Sequence, residues 1–187
     1  MQVQRSSRDK FYIKPDNVKI LLPTYPFIIS FSYLCILTYV IIMELSDWFK
    51  GFEKGLARLS TEQRKAFFAE CGSNCVKCGT LQVYKDLYDS ASGDVDLFFH
   101  NADKLPGVKC ETIEKGAAYY LYFTECTCAL HKKGYVSTPL LCECSRQSIL
   151  YVLHTLWNNK TFSVTLCGSI LQGEQNCKIK IEVKEQV

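Results

Sequence analysis

The chain has no Gly-x-Ser-x-Gly, no His-Glu-x-x-His and no phosphate-binding glycine loop, so serine-hydrolase, zincin and nucleotide chemistries lack support. Dense basic runs are missing too. With Lys and Arg scattered and a formal charge of +3, no strong field draws nucleic acid or anionic lipid. Aromatic and basic residues are not interleaved around the cysteine pairs, which argues against a nucleic-acid-binding zinc ribbon. There is no internal repeat and no low-complexity tract, and 187 residues suit one globular core.

What the chain does hold is cysteine, eleven in all. Cys35 stands alone in an apolar run, and the other ten are Cys71, Cys75, Cys78, Cys110, Cys126, Cys128, Cys142, Cys144, Cys167 and Cys177. Ten would suit five disulfides in a secreted domain, but the Cys-x-Cys and Cys-x-x-Cys spacings favour metal ligation or redox pairs.

Residues 25–43, YPFIISFSYLCILTYVIIM, run from Tyr25 to Met43 without a charge and approach the ~20 residues of a membrane-spanning helix. The preceding segment is too long, and the flank lacks the cleavage site, for a signal peptide. Three readings stand: a membrane anchor, an over-extended gene start with translation beginning at Met43, and a buried core helix. Residues 1–43 are therefore set apart as a hydrophobic extension, and residues 44–187 as one Cys-rich domain. A start at Met43 implies a cytoplasmic protein; an anchor implies a single-pass membrane protein.

From Glu44 to about Asp103 the pattern is helical, with Leu45, Trp48, Phe52, Leu56 and Leu59 at three- and four-residue intervals. Ser60 to Gln63 forms a capping-box signature and opens a second helix. A third helix is expected over 75–88, and a short fourth after Asp94. Beyond Pro106-Gly107 the period changes to that of strands, at 108–113, 117–128, 161–171 and the strictly alternating 177–183. A helix is expected over 145–157. The fold class is thus α+β: a helical N-terminal half, then a curved antiparallel sheet with an inserted helix and a C-terminal hairpin.

In an extended strand, residues two apart share a face, so Cys126 with Cys128 and Cys142 with Cys144 can each aim two sulfurs at one point. Together they can close a tetrahedral zinc site, or one for another thiophilic metal, with metal–sulfur distances of about 2.3 Å. Either pair is equally compatible with reduced core cysteines. Cys71, Cys75 and Cys78 fall on one helical face. Their spacing matches the iron–sulfur signature of radical S-adenosylmethionine enzymes, but the repeated βα pattern of such enzymes is absent. They read instead as additional ligands of one thiolate-rich site or as a polarizable core stripe. His131, three residues beyond Cys128, can replace a thiolate or reach a substrate. His154 reads as a core or boundary residue, and His100 is open to either role. Glu111, Glu125, Glu143 and His131 are acid–base candidates by sequence proximity to thiols, with exposed surface partners as the alternative.

The stretch CECSRQSILYVLHTLWNNKTFSVTLCGSILQGEQNCKIKIEV, residues 142–183, couples a Cys-x-Cys-Ser helix start with Gly168, Gly173 and a Cys177 that opens an alternating strand. In these features it resembles the L-2-amino-thiazoline-4-carboxylic acid hydrolase-like family. More distantly, it is similar to the four-vinyl reductase small-molecule-binding domains, whose fold is shared with Golgi transport-particle subunits and haem nitric-oxide sensors. The resemblance implies a small-molecule pocket between helices and a curved sheet, and hydrolytic opening of a cyclic amidine or thiazoline ring assisted by a metal. Cys142, Cys144 and Cys177 match the family pattern, while Cys71, Cys75, Cys78 and the Cys126–Cys128 pair are additions. A zinc bound by four thiolates has no open position for water and is structural. The two resulting expectations are a bacterial-type hydrolase-like protein binding a small ligand beside a Cys-rich metal site, and a non-catalytic metal- or ligand-sensing module. The second leaves membrane tethering open.

Overall fold

The computed structural model of the chain describes residues 45–185. The apolar stretch 25–43, with its readings as anchor or gene start, lies outside the described residues. Among the described residues no helix is long and apolar enough to cross a membrane.

Four helices come first. Helix α1 (Leu45–Arg58) uses its apolar stripe to bury Leu56 and to pack Phe49 and Phe52 partly inside. Helix α2 (Thr61–Gly79) starts at the expected capping box: the Ser60 hydroxyl accepts from the Gln63 N–H while the Gln63 side chain accepts from the Ser60 N–H. It does not break at Gly72-Ser73-Asn74 but runs on, so Cys71, Cys75 and Cys78 all belong to it. The third helix, α3 (Leu81–Ser90), therefore begins later than the spacing predicts. Helix α4 (Val95–Ala102) opens on Asp94, whose carboxylate accepts from the Leu97 N–H.

The sheet follows. Strands β1 (Val108–Glu114) and β2 (Ala118–Phe123) form a hairpin, and β3 (Lys160–Gly168) and β4 (Cys177–Glu185) form a second; the antiparallel order is β1-β2-β4-β3. Between the hairpins lie a one-turn helix α5 (Ala129–Lys132), a 3-10 turn (Pro139–Leu141) and the long helix α6 (Cys142–Leu156). The molecule is α+β, helical first and closed by a hairpin.

Alternation along the strands decides which face is covered. Tyr119 and Leu121 on β2, Phe162 and Val164 on β3, and Ile179 and Ile181 on β4 are buried under Phe98 and Phe99 of α4 and Ile149 and Leu153 of α6. Trp157 closes this core at the end of α6, its indole N–H donating to the Gly93 carbonyl at 2.8 Å. The opposite face carries Tyr120, Tyr122 and Lys178, with the Lys178 ammonium 3.8 Å from the Tyr120 ring centroid. Between helices and sheet, an apolar cavity lined by Tyr84, Phe99, Leu121 and Ile149 among others has a volume of about 10 Å³. That is room for about one water, and the lining offers such a water almost nothing to bond.

A second apolar cluster sits beside the first. Leu56 of α1, Phe68 of α2, Val136 and Leu141 are buried together, with Cys128 and Cys144 packed against them. Glu53 of α1 ties the intervening loop down by accepting from the backbone N–H groups of Ser137 at 2.6 Å and Thr138 at 2.8 Å. Those bonds, the Ser137 one foremost, hold the Glu53 carboxyl below its ordinary range.

Candidate metal centre

Neither cysteine pair lies in a strand. Strand β2 stops at Phe123, because its neighbours stop there too: Phe123 pairs with Val108, the first residue of β1, and with Cys177, the first of β4. Cys126 and Cys128 follow in irregular backbone, and Cys128 becomes the N-cap residue of α5. Cys142 and Cys144 are in the first turn of α6, which starts three residues before the expected 145 because the 3-10 turn feeds straight into it. On a helix, residues two apart are separated by about 200° around the axis. The two sulfurs of this pair accordingly face different neighbours, and the shared face expected of an extended pair is not formed.

Cys142 is buried and turned toward the end of the sheet, beside the side chain of Ser169. Ser169 follows directly on Gly168, and Gly168 pairs with Lys178, the neighbour of Cys177. Cys177 has the same strand parity as Ile179 and Ile181, so its side chain belongs to the covered face, beneath the start of α6. Burial pushes the Cys142 thiol above its ordinary value, and the neighbouring thiols of Cys177, Cys126 and Cys128 add to the shift. Burial likewise raises Cys126, with Cys128 and Cys177 beside it. The structure thus gathers Cys126, Cys128, Cys142 and Cys177 at one end of the sheet.

Cys144 belongs to another neighbourhood. Burial pushes its thiol up to about 12, and Cys71, Cys75 and Cys128 are the thiols that add to it. The reason is the crossing of α2 over α6 at Gly72, where a β-carbon would lie 2.9 Å from the Ser148 nitrogen and 3.0 Å from the Cys144 carbonyl. Cys71, Cys75 and Cys78 are exposed. Cys110 on β1 packs into the main core, where burial pushes its thiol up to about 12, and Cys167 is exposed on β3; these two are separate from the cluster. Among the described residues, no three Cys, His, Asp or Glu side chains already converge at the spacing of metal ligands.

The acid–base candidates are each engaged. Burial would raise the Glu143 carboxyl, but hydrogen bonds from Arg146 and Gln147 outweigh it and hold the group below the ordinary range. The Arg146 guanidinium makes three contacts with that carboxylate, at 2.6, 2.9 and 3.0 Å, and reaches the Val164 carbonyl of β3 at 3.1 Å. Glu125 forms an exposed pair with Lys132 at 3.6 Å, and Glu111 accepts from the Tyr122 hydroxyl at 2.8 Å. The Nδ1 of His131 is 3.2 Å from the Val136 carbonyl. His100 and His154 are both exposed, so His154 is on the surface and not in the core; its ring lies edge-on 6.1 Å from Phe162.

No family model matches the chain, and no curated protein matches it in sequence. Among solved structures it is similar to a trafficking protein particle complex subunit 3 from Naegleria fowleri, covalently bound to palmitic acid. The identity is 12%, the match covers 83% of this chain and 92% of the other, and the TM-score is 0.38. A likeness of that degree carries no functional conclusion.

Cys177, outside both Cys-x-Cys pairs, is the thiol that the fold adds to the neighbourhood of Cys126 and Cys142. Its signal was present in the alternation, since Cys177 shares parity with the two isoleucines of β4.

Proposed function

We propose that the chain is a non-catalytic metal-binding module in which Cys126, Cys128, Cys142 and Cys177 hold zinc or another thiophilic ion. The observation that carries this reading is the placement of Cys142: buried, against Ser169, at the end of the sheet where β4 begins with Cys177. The donor set suits a soft ion, being four thiols drawn from three separate segments. The helix dipole in the first turn of α6 opposes, without overcoming, the burial that raises the Cys142 thiol, so a bound ion must displace its proton. Binding requires the four side chains to turn toward a common point, so the ion would fasten α6, β4 and the segment after β2 to one another.

The hydrolase-like reading has less support. A four-thiolate ion leaves no position for water, the acidic candidates are held by partners, and the cavity between helices and sheet has no room for a ring-sized ligand. Sensing therefore fits better than ring opening. Elemental analysis of the purified full chain tests the proposal, with at least one equivalent of a thiophilic metal expected. Metal-free protein that takes up no zinc or cadmium under reducing conditions would contradict it.

A further inference from the structure

The structure points to a second ion position, and we propose that it is formed by Cys71 and Cys75 of α2 with Cys144 of α6, sharing Cys128 with the first. This rests on the four-thiolate reading above and extends it to a seven-thiol, two-ion cluster. Its outer ion is the exchangeable one.

Helix geometry carries the argument. At about 100° per residue, Cys71 lies about 100° and Cys75 about 60° around α2 from Gly72, both in the same sense, and Phe68 about 40° in that sense. Gly72 is the point where α2 touches the Cys144 carbonyl and Ser148 of α6. Phe68 is buried in the apolar cluster against which both Cys128 and Cys144 pack. The flank of α2 that bears Cys71 and Cys75 therefore overlooks the two sulfurs with which they would share an ion. Cys78 lies about 120° from Gly72 in the same sense, further from the crossing, and is left out.

The two positions differ in access. Cys142 is buried, whereas Cys71 and Cys75 are exposed. An ion at the sheet end would have one buried and three partly buried ligands, and one at the helix crossing, with two exposed ligands, is the more open to a competing thiol or chelator. That difference suits sensing: the inner ion holds the fold and the outer one reports metal supply. Cys128 couples them, because a thiolate can bridge two ions.

Native mass spectrometry of the full chain, loaded with cadmium or zinc in the presence of a non-thiol reductant, tests the proposal. Two ions per chain are expected, falling to one in C71S/C75S and staying at two in C78S. Since all three positions are exposed, these variants should fold, which far-ultraviolet circular dichroism checks. One ion in both wild type and C71S/C75S would overturn the second position while leaving the first standing. No ion in wild type would overturn both.

Discussion

Gly72 of α2 lies against Ser148 of α6 so closely that an added β-carbon would sit 2.9 Å from the Ser148 backbone nitrogen, and the Ser148 hydroxyl donates to the Gly72 carbonyl at 3.3 Å. The obstacle is backbone, which cannot rotate aside. Gly72→Ala gains about 1 kcal/mol of helix propensity, yet the helices must separate, at a cost of about 1–3 kcal/mol in a packed interior. A net loss of stability in denaturant unfolding is expected, together with weaker binding of the second ion. A variant at least as stable as wild type would mean that the crossing is looser than described.

Asp96, in the first turn of α4, accepts from the Tyr119 hydroxyl at 2.6 Å and from the Gly116 N–H at 3.0 Å, pinning the β1–β2 turn. Gly116 adopts φ +72° there, a conformation other residues rarely take. The Tyr119 bond foremost lowers the Asp96 carboxyl below 3.8. Its folded value is depressed, so its stabilisation is present above the unfolded value and is lost as pH falls below about 4. Asp96→Asn should remove part of the acid dependence of the melting temperature. An unchanged acid profile would count against this anchor.

Metal-free protein should weaken in alkali. Burial raises the thiols of Cys110 and Cys144 from 9.0 to about 12, so the folded state keeps protons that the unfolded chain has already released. Stability is full below the unfolded value and declines as pH rises from about 9 toward 12. Cys110→Ala should flatten the decline, as read by thermal melts across that range. A profile as steep as wild type would contradict the assignment.

Arg146 links Glu143 to β3, and removing it leaves a half-buried carboxylate with the Gln147 hydrogen bond and the more distant charge of Lys65. Arg146→Ala should cost about 1–3 kcal/mol, measured by urea unfolding, without changing the number of ions bound. Loss of an ion in this variant, with the fold intact, would mean that the pair also positions the thiols.

Much of the fold is legible because its signals are local. The Ser60–Gln63 capping box, the apolar stripe of α1 and the alternation of β4 each act within a few residues, and all three stand in the structure. What could not be read is what depends on distant partners. Gly72-Ser73-Asn74 looks like a helix break, but the glycine is there because α6 crosses at that point. Cys126 and Cys128 continue a strand-like pattern, yet β2 ends at Phe123 since β1 and β4 offer it no further partners. The Cys142–Cys144 pair reads alike as strand or helix. Its helical outcome sends one sulfur toward Cys177 and the other toward α2.

Differential alkylation with peptide mapping tests the central claim most directly. In the metal-loaded full chain, Cys126, Cys128, Cys142 and Cys177 should be protected as a group and released together by a chelator, while exposed Cys167 reacts throughout. If Cys177 is labelled equally fast with and without the ion, the sheet-end site does not exist as described.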